Sequence, residues 1–184
     1  LNASILMRIR LPRVCMAFLC GAMLSISGAV MQSVLRNPLA SASTLGVSQG
    51  ASFGAAVSII WLGAGSQLNT GSGSAAALTI SNPMLVTLCA FLGGVATTLI
   101  ILGISRLRGA TPSVMVLAGV AISAMFSGGT TLVQYFADDV MVATVVHWTF
   151  GNLGRAGWNE IYLIGALGLL AFLFFYYFIF LRYK

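Results

Sequence analysis

Residues 84–105 read MLVTLCAFLGGVATTLIILGIS and include no charged side chain. A helix of about 20 apolar residues crosses the hydrocarbon core of a bilayer, because it rises about 1.5 Å per residue. All the interior backbone N–H and C=O groups of such a helix are bonded within it, as a segment surrounded by lipid requires. The stretch therefore predicts a transmembrane helix.

Similar stretches lie on both sides of this one, separated by polar breaks. The breaks are Arg36-Asn37-Pro38, a Gly/Ser/Asn/Thr-rich loop over 63–81 and a turn over 106–112. Proline lacks an N–H group and restricts the residue before it, which favours helix ends at these points. The chain is thus expected to be a single all-α, polytopic transmembrane domain over residues 1–184. About five spans are predicted, at residues 11–34, 45–62, 84–105, 113–136 and 160–181, with a polar segment at 137–159.

The composition supports a membrane protein. Hydrophobic residues make up 59% of the chain and charged residues 7%, whereas soluble domains contain roughly 25% charged residues. Because the apolar stretches recur along the whole chain, a secreted soluble protein with one signal peptide is excluded. The net charge of +6 comes from scattered basic residues rather than a basic face, so lipid and not nucleic acid is the expected partner.

Several kinds of chemistry are not indicated. The acidic residues lie at or beyond span ends: Asp138, Asp139 and Glu160. Ion-coupled transporters usually need ionisable groups at membrane depth. His147 is the only histidine and the three cysteines lack a C-x-x-C spacing, so neither a metal site nor a cofactor is expected. Without a phosphate-binding G-x-x-x-x-G-K-[ST] loop, the chain is not expected to hydrolyse ATP, and no catalytic residue is predicted.

Small residues recur every four positions in two spans. Gly21 and Ser25 share a face of the first span with two alanines, and Gly46, Gly50 and Gly54 are spaced in the same way in the second. Small side chains let helix backbones approach closely, and packing is what holds helices together in lipid. These residues are predicted to form helix–helix contacts rather than ligand sites.

The fourth span carries a polar stripe. Ser123, Ser127 and Thr131 follow one another at intervals of four residues, and Gln134 lies near the same line one turn later. Such hydroxyls can bond to carbonyls of their own helix, so the stripe is compatible with simple packing. A stripe of this length is also compatible with the lining of a wet pathway. Both interpretations stay open on the residues alone.

Several motifs occur together along the chain. They are RLPR at 10–13, GAMLSISGAVMQ at 21–32, NPLA at 37–40, LGVSQGA at 45–51, LAGVA at 117–121 and HWTFGNLG at 147–154. In this combination and order the chain resembles the FecCD-type permeases. These are the membrane subunits of type II ABC importers for iron-siderophore, haem and cobalamin. The resemblance implies a transport subunit in the cytoplasmic membrane rather than an enzyme.

The resemblance also implies an orientation and partners, where charge alone leaves the orientation nearly undecided. The RLPR end would be extracytoplasmic, with Arg10 and Arg13 docking a substrate-binding protein, and the C-terminus would be cytoplasmic. The segment over 137–159 would hold a short helix near that binding protein. The other implied partners are a second permease copy or a paralogue and two ATP-binding subunits.

Further roles follow from the resemblance for the fourth span. The cytoplasmic gate would lie at Thr111, Pro112 and Ser113. The polar stripe would fall on the helix that lines the translocation path. Permeases of the family have about ten transmembrane helices, and this chain resembles helices two to six, so it is expected to be part of a longer subunit. A secondary transporter and a membrane scaffold without a substrate remain the alternative functions.

Overall fold

The protein is described by a computed structural model over residues 6–65, 80–108 and 111–182. Within these ranges the chain is helical and has no extended strand, which confirms the prediction of an all-α fold. A π-helical turn, Leu6–Arg10, leads into the first helix, and a 3-10 turn, Leu153–Arg155, precedes the last. The α-helices are α1 (Leu11–Leu35), α2 (Val47–Ile60), α3 (Pro83–Arg108), α4 (Pro112–Tyr135), α5 (Asp139–Phe150) and α6 (Trp158–Arg182).

Four segments of the described chain are long and apolar enough to cross a membrane: Leu6–Leu35, Pro83–Arg106, Pro112–Tyr135 and Trp158–Tyr177. The protein is therefore a polytopic helical membrane protein, as the sequence predicts. The remaining apolar helix, α2, has only 14 residues. At about 1.5 Å per residue it is shorter than a hydrocarbon core of about 30 Å.

The helix boundaries follow from local chemistry. Both α3 and α4 begin with a proline, which suits the first turn because its N–H groups have no partner within the helix. In contrast, α2 begins after Gly46, whose φ of 78° lies in the left-handed region. This conformation costs glycine nothing but stops the helix from extending towards Leu45. The predicted span at 45–62 is therefore a helix only over 47–60, and residues 66–79 of the predicted loop lie outside the described ranges.

The chain divides into two compact units, with one boundary inside α1 and the other after α5. The first unit contains residues 6–30 and 152–182. In it, two glycines of α6 leave room for side chains of α1. A Cβ atom at Gly168 would lie 2.9 Å from the sulfur of Met23, and one at Gly165 would lie 3.8 Å from Leu19. Close packing of large side chains against glycine is typical of helices in lipid.

The second unit, residues 31–151, is built around α2. Ala55, Ala56 and Ile59 of this helix are fully buried, and they pack with side chains of α3 and with Val145 of α5. Another buried cluster surrounds the start of α2: Leu35, Ala40, Leu45, Ile101 and Ile122. The short helix is thus enclosed by its neighbours, and its small residues decide how close they come.

Glycines on both helices bring the backbones of α2 and α3 together. A Cβ atom on Gly93 of α3 would overlap the carbonyl oxygen of Gly50, and one on Gly54 of α2 would overlap the carbonyl oxygen of Cys89. A Cβ atom on Gly50 would also collide with the hydroxyl of Thr97. Because backbone atoms move only with their whole helix, no residue larger than glycine fits at these positions without separating α2 from α3.

This contact leads to a prediction about stability. Gly93→Ala should lower the free energy of unfolding by about 1–3 kcal/mol, the usual cost of overpacking a tight contact. Gly103→Ala on the same helix is the matched control, because a Cβ atom there meets no heavy atom within 4 Å. Thermal unfolding in detergent, followed by circular dichroism, measures both. Equal melting temperatures for the two variants would contradict the close approach of α2 and α3.

Candidate functional site

Arg10 and Arg13 lie on either side of the start of α1, and both are exposed. Pro12 between them is fully buried. Proline cannot donate a hydrogen bond, and its ring obstructs a regular turn before it. Pro12 therefore explains the wider π-helical turn at Leu6–Arg10. The turn leaves both guanidinium groups accessible at one end of the first unit.

A loop of the same unit holds Arg13. Its Nη2 donates a long hydrogen bond, 3.5 Å, to the carbonyl oxygen of Gly154. The loop is itself ordered by polar contacts: Asn152 Oδ1 accepts from the N–H of Gly154 at 2.7 Å, and Glu160 Oε2 accepts from the N–H of Gly157 at 3.0 Å. Arginine has several N–H donors, so one bond to the loop leaves others available for a carboxylate.

The predicted gate residues form the beginning of α4. Thr111 is extended and precedes the helix, and Pro112 is its first residue. The carbonyl oxygen of Thr111 accepts from the N–H groups of Val114 and Met115, at 3.0 and 3.3 Å. All three predicted residues, Thr111, Pro112 and Ser113, are exposed. The turn is therefore a regular helix start with an accessible surface, and residues 109–110 before it lie outside the described ranges.

The polar stripe of α4 is divided by its surroundings. Ser123 is partly buried against the start of α2, where a Cβ atom on Gly46 would lie 2.7 Å from its hydroxyl oxygen. Ser127 and Thr131 are exposed, whereas Gln134 is partly buried. Ser123 donates to the carbonyl oxygen of Gly119 at 2.8 Å and Thr131 to that of Ser127 at 3.1 Å. Back-bonding and exposure thus occur together, so both interpretations of the stripe remain compatible with the structure.

The small-residue faces have different surroundings. Gly50 and Gly54 lie against α3, but Gly46 precedes the helix and lies against Gly119 and Ser123 of α4. In α1, Gly21 and Ser25 are both exposed, and a Cβ atom on Gly21 would meet no heavy atom within 4 Å. The Ser25 hydroxyl donates to the carbonyl oxygen of Gly21 at 2.8 Å.

The connection between α1 and α2 contains a polar network that the sequence analysis did not identify. Ser41 N–H donates to Thr44 Oγ1 at 2.8 Å, and Thr44 N–H donates to Ser41 Oγ at 3.2 Å. Gln32 Nε2 donates to the carbonyl oxygen of Pro38 at 3.0 Å. The S-x-x-T spacing was the available signal, because Ser and Thr bond readily to nearby backbone groups. The network fixes the segment that carries the NPLA motif.

The predicted polar segment over 137–159 contains a short helix. Asp138 precedes α5 in an extended conformation, and Thr144 and Val145 of the helix are buried. Met141 and Trp148 pack against the core cluster around Ala55. This helix is therefore a packed part of the second unit.

Comparisons with known proteins agree with this architecture. The model of the FecCD transport family matches residues 1–182. The chain is 48% identical to a proposed ABC transporter permease protein of Methanocaldococcus jannaschii, over 94% of this chain and 48% of that protein. It is 38% identical to the vitamin B12 import system permease protein BtuC of Escherichia coli, over 87% of this chain and 44% of that protein.

A solved structure has a similar fold. It is a proposed metal-chelate type ABC transporter in an inward-facing conformation, with a TM-score of 0.72, 25% identity, and coverage of 91% of this chain and 48% of that one. The fold defines a polytopic helical membrane protein with several packed spans. The chain belongs to the FecCD transport family, since the family model matches almost all of it. It spans about half the length of the relatives it matches.

The orientation of the helices can be tested by cysteine labelling. In a background without Cys15, Cys20 and Cys89, Asp138→Cys should react with a membrane-impermeant thiol reagent in intact cells and Ser43→Cys should not. Both positions are exposed. The predicted span over 45–62, which includes α2, crosses together with α3 and α4, so the two positions are expected on opposite sides. Ser43→Cys should react once the membrane is permeabilised, which controls for reactivity. The reverse pattern in intact cells would contradict an extracytoplasmic Arg10.

Proposed function

We propose that this chain is part of the permease of an ABC importer that takes up an iron-siderophore, haem or cobalamin. The observation that carries the proposal is the family match over residues 1–182, which includes the RLPR turn, the start of α4 and the loop after α5. The names of its relatives, a vitamin B12 import permease and a metal-chelate type transporter, support the substrate class. The expected location is the cytoplasmic membrane.

The proposed assembly contains a second permease copy or a paralogue, two ATP-binding subunits and an extracytoplasmic substrate-binding protein. ATP hydrolysis by the partner subunits would drive alternating access, and this chain would supply part of the route and part of the docking surface. An exposed arginine pair suits an acidic protein surface, because guanidinium groups form paired hydrogen bonds with carboxylates. The long contact from Arg13 Nη2 to the carbonyl oxygen of Gly154, 3.5 Å, supports this role by placing the guanidinium group beside the loop before α6.

The proposed route follows α4 from Thr111, Pro112 and Ser113 towards Gln134. Ser127 and Thr131 are exposed on this helix, and a hydroxyl that donates to its own helix still has lone pairs that accept bonds. A bulky chelate passing such a surface would meet many weak contacts instead of one tight site. This suits transport, because tight binding in the route would slow release.

The docking role predicts the behaviour of a charge-reversal variant. Arg10→Glu combined with Arg13→Glu should weaken binding-protein affinity and uptake together, because carboxylates would then face carboxylates. Loss of a buried interfacial pair costs about 2–5 kcal/mol, and a pair at a wet rim costs less. An intermediate loss is expected, since the binding protein must leave after each cycle. Affinity in nanodiscs at two salt concentrations is the measurement.

Arg8→Glu is the matched control for this test, because Arg8 is exposed in the same turn but lies outside the RLPR motif. It should weaken binding less than the double variant. Glu→Arg changes on the binding protein should restore part of the affinity of the double variant. If the double variant binds as tightly as the wild type at low salt, the two arginines only anchor the chain at the membrane surface.

The route predicts an effect of side-chain size on α4. Ser127→Phe in the assembled transporter should reduce uptake at least tenfold while leaving assembly intact, because the added ring would project into the path. Ala121→Phe is the control: it is also small and exposed, but it lies about 120° away around the helix. Uptake of radiolabelled chelate and size-exclusion chromatography measure the two properties. Equal uptake by both variants would remove Ser127 from the route.

A further inference from the structure

Gln49 is half-buried, but its amide oxygen is enclosed and differs from the polar groups of the buried residues in the second unit. Ser58, Thr97 and Thr144 are buried, and each hydroxyl donates to a carbonyl oxygen of its own helix. A hydroxyl can do so because it carries a proton. The amide oxygen of Gln49 can only accept, and it is enclosed without a hydrogen-bond partner in the described part of the chain.

The usual structural role of a glutamine at this position is already filled. Gln49 is the third residue of α2, where a glutamine side chain often accepts from the N–H of the residue that precedes the helix. Here the N–H of that residue, Gly46, donates to the carbonyl oxygen of Ser43 at 3.1 Å, and the N–H of Val47 donates to Ala42 at 3.1 Å. The amide oxygen is therefore not a helix cap.

The surroundings of Gln49 place it beside α4. Gly46, three residues earlier, lies against Gly119 and Ser123. Phe53, four residues later, packs against Phe126 with the rings tilted by 43° at a centroid distance of 5.5 Å, and its ring lies against Gly129. Gln49 and Phe53 are four residues apart in one continuous helix, so they share a side of it. Gln49 thus lies on the side of α2 that faces α4, between Gly46, which lies against Ser123, and Phe53, which lies against Phe126.

The Ser123 hydroxyl of α4 does not donate a hydrogen bond to the amide oxygen of Gln49. Ser123 uses its single proton in the bond to the carbonyl oxygen of Gly119. A buried amide oxygen without a partner costs roughly 1–3 kcal/mol, and an apolar side chain of similar size would not carry this cost. The position therefore holds a group that packing alone does not require.

We propose that Gln49 lines the transport route and accepts, through Oε1, a hydrogen bond from a donor that enters the contact between α2 and α4. The donor is an O–H or N–H group of the transported compound, or of water that accompanies it. This inference rests on the proposed function and adds α2 to a route otherwise assigned to α4. It makes Gln49 a residue that positions polar cargo next to Ser123.

The first test does not depend on transport. In a background without native cysteines, Gln49→Cys in the assembled transporter should react with a small hydrophilic thiol reagent, because the route contains water. Leu88→Cys on α3 is the control. Leu88 is exposed and is expected to face lipid, so this cysteine should stay unmodified. An unreactive Gln49→Cys would overturn the proposal. If Gln49→Cys reacts although the wild-type transporter takes up no chelate, the proposed function is wrong, but the conclusion that water reaches position 49 holds.

The second test separates binding from folding. Gln49→Leu should melt at the same or a higher temperature than the wild type, while its KM for uptake rises about two- to tenfold, the effect of one neutral hydrogen bond. Ser48→Ala, which removes an exposed polar group from the adjacent position, should change neither property. A raised KM assigns the donor to the compound, and an unchanged KM with a reactive Gln49→Cys assigns it to water. A lower melting temperature for Gln49→Leu would show that the amide has a structural partner, and would overturn the proposal.

Discussion

The contact between the backbones of α2 and α3 is the constraint on which the second unit depends. Lipid is as apolar as the side chains it surrounds, so helices gain little from burying hydrophobic area against each other and are held mainly by close packing. Gly50, Gly54 and Gly93 remove the side chains that would keep the two helices apart. The result is a short helix enclosed on several sides, with α4 against its start and α5 near its end.

Polar groups fit into this packing because most of them are satisfied locally. Thr97 faces Gly50 and Ser123 faces Gly46, yet both hydroxyls bond to carbonyls one turn earlier in their own helices. Such residues tolerate burial, exposure or passage of a polar molecule, since their bonds do not depend on a neighbouring helix. A carboxamide oxygen carries no proton and cannot donate to a carbonyl of its own helix. The amide oxygen of Gln49 is accordingly enclosed without a partner in the described residues of this unit.

The start of α1 shows a different use of polar contacts. Asn152 and Glu160 order the loop before α6, and the loop in turn accepts a bond from Arg13. The same motif residues that mark the family therefore have a local physical role: the glycine-containing turn exposes a carbonyl oxygen, and the buried Pro12 sets where the helix begins.

The sequence by itself determined the helical class and the approximate positions of the helices, because lipid permits few alternatives to long apolar helices and prolines mark the starts of α3 and α4. It also supplied the family motifs. Only the tertiary structure decided the short length of α2 and the different neighbours of Gly46 and Gly50. Regular spacing describes one face only within a continuous helix, and the positive φ of Gly46 interrupts that helix. The partial burial of the α4 stripe and the unpartnered oxygen of Gln49 also depend on which helices meet, and periodicity in a single segment does not contain that information.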